Sequence, residues 1–222
     1  MNEFNFEDFE IDFENPLGEG GFSAVYKATR KNSNEVYAIK RISIKYLNEY
    51  EIQQIDEEIL SMNLLKECEN SINFFGNFQE ENYIYLIMEL CDCSLVQIIN
   101  EKKKLNIKEI KEILEQLNNA FKIMYKNSII HRDIKPENIL IKKLEKNQYL
   151  YKLTDYGFSK QLTQSNKAST YVGTNDYIAP EIKNNLNIDK SKVDLWSIGI
   201  LIHKLYFGNI PINNYIKKTN NI

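Results

Sequence analysis

The chain has 222 residues, 43% hydrophobic and 27% charged, with a formal net charge of −3 at pH 7. That is the composition of an ordinary globular protein, and the length allows one large domain or two lobes that each bury a core. The mildly acidic balance gives no electrostatic footprint for nucleic acid, and no apolar run is long enough to span a membrane. The start, MNEFNFEDFEIDFENP, is acidic and aromatic and does not read as a basic-then-apolar signal peptide. The three cysteines, Cys68, Cys91 and Cys93, are odd in number and lack zinc spacing, and Cys91 and Cys93 are too close for an ordinary bridge. Reduced thiols in an intracellular protein are expected, in the cytoplasm with the nucleus also open.

In chain order, residues 13–17 and 22–29 alternate in strand fashion around the glycine cluster GEGG, and a third strand, 35–42, follows the polar turn KNSN. From 47 to 66 the spacing is helical, with Ile52, Ile55, Ile59, Met62 and Leu65 on one face. Strands at 73–78 and 83–90 are joined by the polar QEEN. Beyond residue 90 the pattern turns largely helical. Its clearest segment, 107–125, has apolar residues at 110, 113, 114, 117, 121 and 124, with Asn106 and Glu109 resembling a capping box. Short strands fit 139–141 and 150–153, and a polar loop runs to about Tyr177. The stretch VDLWSIGILIHKLYFG, residues 193–208, is apolar on nearly every side and therefore reads as a core helix, although only fourteen residues follow it. The arrangement predicted is α+β: an acidic extension over 1–12, a mainly β lobe over 13–90 and a mainly α lobe over 91–222, joined near residues 91–94.

Three groups of residues point to chemistry. Gly18, Glu19, Gly20, Gly21, Phe22, Ser23, Ala24 and Val25 form a glycine-rich link between two strands. Glycines let backbone N–H groups approach phosphate oxygens without a Cβ clash, while a plain hairpin turn remains the alternative. Placement between two strands argues against both dinucleotide-binding and P-loop motifs. Lys40, in Tyr37-Ala38-Ile39-Lys40, needs an acidic partner to be more than a surface lysine. The following helix offers Glu58, next to Ile59 and Met62 at core spacing, with Glu57 as the fallback. The third group is His131-Arg132-Asp133-Ile134-Lys135-Pro136-Glu137-Asn138, followed by Asp155-Tyr156-Gly157, Gly173-Thr174 and Ala179-Pro180-Glu181.

In this order and at these intervals, the motifs resemble the eukaryotic protein kinase family, in its serine/threonine branch, over residues 17–211. The resemblance implies a two-lobed kinase fold, with a small β-rich N-lobe and a larger α-rich C-lobe. It also implies transfer of the γ-phosphate of ATP to serine or threonine hydroxyls of a protein substrate. The glycine loop would cover the phosphates, and Lys40, held by Glu58, would contact them. Asp155 and Asn138 would ligate magnesium, Asp133 would orient the acceptor hydroxyl, and Lys135 would offset charge on the γ-phosphate. The adenine would lie between Leu17, Val25 and Ala38 on one side and Leu140 on the other, bonded to backbone groups of Glu89 and Cys91, with Met88 behind it. Lysine at 135 and Thr174 are features of the serine/threonine branch.

By the same resemblance, Thr170, beside Ser169 and Tyr171, is a candidate for phosphorylation by an upstream kinase or by the protein itself, its phosphate pairing with Arg132 and Lys160. Asp194 would cap the backbone at His131 and Arg132. Four departures stand out. Ser23 replaces the third glycine, and Asn175 a usual proline. Tyr156 replaces phenylalanine and brings a hydroxyl that needs a buried partner. Lys204 stands where kinases that prefer basic substrates often carry glutamate. Family domains continue for about 50 to 70 residues past the 193–208 helix. The C-lobe therefore reads as truncated, with Glu181 lacking its arginine partner and one face of 195–206 under-covered. An inactive kinase-fold scaffold or a kinase fragment is the competing reading. The presence of Lys40, Asp133, Asn138 and Asp155 favours the enzyme.

Overall fold

The computed structural model describes residues 4–145, 148–158, 160–161, 176–183 and 192–211. Five antiparallel strands, β1 (Phe9–Glu19), β2 (Ser23–Arg30), β3 (Val36–Ser43), β4 (Phe74–Glu80) and β5 (Tyr83–Glu89), form one sheet in the order β1-β2-β3-β5-β4. Side chains alternate across such a sheet. Along β3, Tyr37 and Ile39 enter an aromatic cluster on one face, while Ile42 joins the main core on the other, and Ala38 and Lys40 share its parity. The α-helix of this half among the described residues, α1 (Glu49–Leu65), packs on that second face. Asn48 starts it by accepting from the Glu51 amide at 3.0 Å, and the Glu51 carboxylate returns to the Asn48 amide at 2.9 Å. Its buried stripe is Ile55, Glu58, Met62 and Leu65. A carboxylate thus occupies a position that periodicity alone assigns to an apolar side chain, whereas Ile52, expected on that face, is exposed.

β1 begins four residues before the expected strand, inside the stretch read as an N-terminal extension. The reason is aromatic packing. Phe9 stacks on Phe78 and meets Tyr37 edge-on, and Phe78 stacks on Tyr85 with centroids 4.7 Å apart. Phe4 closes the cluster over a bulge in β4, where Gly76 has φ +154° and a Cβ would come within 3.2 Å of the Phe4 ring.

The second half contains β6 (Cys93–Ser94), α2 (Leu95–Lys102), α3 (Ile107–Lys126), β7 (Ile129–Ile130), β8 (Ile139–Lys143), β9 (Tyr149–Leu153), β10 (Lys160–Gln161), α4 (Pro180–Lys183) and α5 (Val193–Phe207). The expected capping box opens α3, with Asn106 accepting from the Glu109 amide at 3.1 Å and Glu109 from the Asn106 amide at 2.8 Å. The α3 core stripe is Ile110, Ile113, Leu117, Ala120 and Met124. α5 ends at Gly208 (φ +81°), where a Cβ would lie 2.8 Å from the Lys103 carbonyl, and Leu105 donates to the Leu205 carbonyl at 2.7 Å. Val193, Ser197, Leu201 and Leu205 of α5 are buried, whereas Leu195, Trp196, Tyr206 and Phe207 are exposed.

One apolar cluster runs through both halves, from Ile42 and Met62 through Leu153 and Tyr156 to Leu201. Residues 66–73, between α1 and β4, form the seam. The Leu153 amide donates to the Asn70 carbonyl at 2.9 Å and the Ile72 amide to the Leu153 carbonyl at 2.8 Å. The Asn70 side-chain amide reaches the Tyr151 carbonyl at 3.0 Å and accepts from Asn119 at 2.8 Å. Among the described residues, no helix is long and apolar enough to cross a membrane.

Substituting Gly76→Ala should destabilise the protein by about 1–3 kcal/mol, from the clash with Phe4 and the left-handed φ, and lower Tm by about 2–4 °C per kcal/mol. In a Phe4→Ala background the loss should shrink without vanishing. Equal losses in both backgrounds would show that the Phe4 contact plays no part.

Candidate active site

The segment from β7 to β8 is held from below by α5. Asp194, in the first turn of that helix, accepts from two consecutive amides: His131 at 2.8 Å and Arg132 at 2.9 Å. Arg132 has φ +67°, a left-handed conformation that disfavours any side chain by roughly 1–2 kcal/mol. The two bonds to Asp194 help offset that. Burial pushes the Asp194 carboxyl above the ordinary aspartate range, against the pull of His131 and the two amides. His131, fully buried, accepts from the Asp133 amide through Nδ1 at 3.3 Å and lies 3.0 Å from the Thr154 carbonyl through Nε2. These bonds fix Nε2 as the donor and tie the loop to the end of β9.

Asp133 is 1% exposed, and its Oδ2 lies 2.7 Å from Lys135 Nζ and 2.9 Å from Asn138 Nδ2. The same Asn138 nitrogen donates to the Asp133 carbonyl at 2.8 Å, and the Asn138 carbonyl accepts from the Thr154 amide at 3.0 Å. With its amide nitrogen committed to Asp133, Asn138 presents Oδ1 as its acceptor. Pro136 sets the short helical turn Pro136–Asn138 that brings these side chains together, since its fixed φ suits the first helical position.

From the sheet, Lys40 Nζ reaches Glu58 Oε1 at 2.7 Å and Asp155 Oδ1 at 3.1 Å. Glu57, the alternative, instead accepts from Gln53 at 3.2 Å. Burial on its own would lower the Lys40 pKa, but Glu58 and then Asp155 outweigh it and hold the ammonium above the ordinary lysine value. Burial works against ionised Asp155 too, and Lys40 overrides it, holding that carboxyl below the usual aspartate range. Asp155 also has φ +63°. At Gly157 a Cβ would stand 3.2 Å from Glu58 Oε2 and 3.4 Å from Asp155 Oδ1, so a side chain there would crowd the triad.

The hairpin between β1 and β2 carries the glycines. Gly18 is opposite Val25, Glu19 opposite Ala24, and the Gly20 amide donates to the Ser23 carbonyl at 2.7 Å. A Cβ at Gly18 or Gly21 would meet nothing within 4 Å, so packing within the chain does not require glycine there. Such a bare backbone suits close approach by a phosphate. Leu17 and Phe22 are exposed at the rim. Ala38 and Met88 face each other across β3 and β5, both buried, and Leu140 is half-buried in β8.

At the end of β5, the Glu89 carboxylate meets Lys152 at 2.7 Å, the Asn73 amide at 2.8 Å and Lys142 at 3.2 Å. Burial opposes its charge, but these partners hold it below the ordinary glutamate range. Burial, followed by the charge of Glu89, pushes the Cys91 thiol up to about 12, which keeps it protonated and inert at neutral pH. Sequence reasoning named Glu89 for its backbone and missed this ion pair. Lys152 gave no signal, because a lysine in YLYKL reads as an outward-facing strand residue. The hydroxyl of Tyr156, expected to need a partner, has one in Ser71 Oγ at 2.8 Å, and Ser71 was not singled out.

Among the described residues, no cluster of three or more His, Cys, Asp or Glu could hold a metal alone. Asn138 and Asp155 fit a hard cation that completes its shell with phosphate oxygens and water, as magnesium does. Ser169, Thr170, Tyr171, Gly173, Thr174 and Asn175 lie outside the described residues, as do the side chains of Lys160 and Glu181.

A family model described as the protein kinase domain matches residues 11–222. A probable myosin light chain kinase of Dictyostelium discoideum is 34% identical over 206 residues, covering 92% of this chain and 52% of the relative. The serine/threonine-protein kinase pakG of the same organism is 38% identical over 190 residues, 83% of this chain and 15% of the relative. The Xenopus laevis serine/threonine-protein kinase ULK3 is 35% identical over 199 residues, 88% of this chain and 41% of the relative. The chain thus spans about half, or less, of the length of these relatives.

Removing the Asp194 carboxylate should strand two loop amides. Asp194→Ala is expected to cost about 1–3 kcal/mol per amide, read as a lower urea midpoint, and Asp194→Asn, which keeps one acceptor oxygen, should cost less. An unchanged midpoint for Asp194→Ala would show that the loop holds its shape without the cap.

Proposed function

The chain belongs to the protein kinase family, and on that footing we propose that it transfers the γ-phosphate of ATP to serine or threonine hydroxyls of protein substrates. The observation that carries this is the convergence of Asp133, Lys135 and Asn138 with Lys40, Glu58 and Asp155 through the Asn138–Thr154 bond. Phosphoryl transfer asks a protein mainly for positioning and for neutralising charge on phosphate oxygens. Lys40, oriented by Glu58, supplies positive charge to the phosphates. The glycine hairpin of residues 18–25 offers them backbone N–H groups. Leu17, Val25, Ala38 and Leu140 provide the apolar walls for the adenine, and Glu89 and Cys91 the backbone groups along its edge.

Magnesium, when bound by Asp155 and Asn138, adds charge neutralisation between the phosphates. Asp133 accepts a hydrogen bond from the acceptor hydroxyl and takes its proton late, as the oxygen bonds to the γ-phosphorus and the bond to the departing ADP oxygen breaks. Lys135 offsets the charge on the transferred group. Residues 13–90 and 91–222 serve as the two lobes around this cleft, with a cytoplasmic location consistent with the free thiols. Thr170 is the proposed phosphorylation site in the 155–181 loop, with Arg132 as the phosphate's partner. Relatives named as serine/threonine kinases support the acceptor class.

Purified chain with magnesium-ATP and a generic protein acceptor should form phosphoserine or phosphothreonine. Asp133→Asn should lower kcat by about 10²- to 10⁴-fold. Transfer undiminished in that variant would reject the assignment, and nucleotide binding without transfer would point to the scaffold reading. Lys204, whose ammonium lies 5.9 Å from the Tyr177 ring centroid, puts positive charge where glutamate favours basic substrates. A peptide array should therefore show no strong preference for arginine before the acceptor; a marked preference would overturn that inference.

A further inference from the structure

The tyrosine in Asp155-Tyr156-Gly157 does more than fill the space of a phenylalanine. Tyr156 is fully buried, with its ring 5.1 Å from the His131 ring and its hydroxyl 2.8 Å from Ser71 Oγ. Ser71 is also fully buried, and it is already fixed to the strand that delivers Asp155. It bridges Leu153 in parallel, its neighbours Asn70 and Ile72 exchange backbone bonds with Leu153, and its own carbonyl accepts from Lys152 at 3.2 Å. The Ser71–Tyr156 bond therefore closes a ring. The chain runs from Leu153 through Thr154 and Asp155 to Tyr156, crosses to Ser71 and returns to Leu153. Asp155, inside that ring, is the residue with φ +63°. A left-handed aspartate persists only where its surroundings over-determine it. Lys40 holds its carboxylate from one side, and an anchored Tyr156 side chain fixes the peptide that follows it.

We infer that Ser71 and Tyr156 form a latch that positions Asp155, making Ser71 a positioning residue for the metal-nucleotide site; this rests on the phosphoryl-transfer reading above. Removing either hydroxyl leaves the other buried without this partner, which disfavours the closed ring. Asp155 then relaxes toward ordinary backbone conformations and draws its carboxylate from Lys40. Acceptor binding, which depends on other elements, is left alone. A role confined to core packing would lower stability without separating the two substrates.

The test uses Ser71→Ala, Tyr156→Phe and the double variant, with two readouts. In steady-state kinetics, each single variant should raise KM for magnesium-ATP by about five- to tenfold, leaving KM for the acceptor peptide within about twofold. In hydrogen exchange of the protein without nucleotide, amides 155–157 should exchange about tenfold faster in each single variant. The double variant should be no worse than the worse single variant, because the two hydroxyls act as one unit. Wild-type exchange in Ser71→Ala, or multiplicative effects in the double variant, would overturn the latch. If Ser71→Ala fails to fold, Tyr156→Phe carries the same decision. A wild-type protein that neither binds nucleotide nor transfers phosphate would sink the kinase reading, while the exchange measurement would still decide the latch.

Discussion

Two hydrogen bonds that one carboxylate, Asp194, accepts from the amides of His131 and Arg132 set the geometry on which the site depends. They hold Arg132 in a left-handed conformation, and that turn directs the next residue, Asp133, toward Lys135 and Asn138. They also fix His131, whose ring contacts both the Thr154 carbonyl and the Tyr156 ring. The loop of residues 131–138, the end of β9 and the residues after it are thus referenced to one point on α5. A loop with few bonds of its own gains definition from a helix that cannot easily move, because Val193, Ser197, Leu201 and Leu205 are buried.

The second constraint is electrostatic. Lys40, Glu58 and Asp155 concentrate three charges, with Glu58 buried, Lys40 mostly so and Asp155 open to the cleft, and the cost of desolvating the inner pair makes the arrangement weak as a source of stability. The excess of carboxylate over ammonium is useful if the site is to receive a cation alongside an anionic phosphate chain. Glu89 with Lys142 and Lys152 repeats the theme at the joint between the halves. There the charges balance the other way and anchor the backbone of β5 to Asn73 and to β9.

Much of this was legible because local chemistry and global role coincide. Residues 131–138 and 155–157 announce themselves by type and order. Asn106 and Glu109 mark the start of α3, and Glu58 stands beside Ile59 and Met62 at core spacing, which tells it from Glu57. Features that depend on long-range pairing were less visible. The alternating Phe9, Ile11 and Phe13 carry a strand signal, but the acidic residues between them read as an extension until the partners Tyr37, Phe78 and Tyr85 are in place. Ser71 and Asn70 lie in a stretch with no periodicity, and Lys152 looks like a surface lysine. Each finds its partner at a sequence separation of more than 45 residues. The hydroxyl of Tyr156, like the ammonium of Lys40, was a long-range need that the residue type itself disclosed.

The chain's single tryptophan, Trp196, is 43% exposed and lies on α5, the helix whose Asp194 caps the loop. Its fluorescence is therefore a reporter built into the support of the site. Light emitted at the red edge of the spectrum comes from α5 alone, whereas the aromatic shell around Phe9 and Tyr85 contributes only phenylalanine and tyrosine. Tyrosines occur in both halves, so the tryptophan band is the signal specific to one element, and the packing of α5 beneath the loop can be followed without attaching a dye.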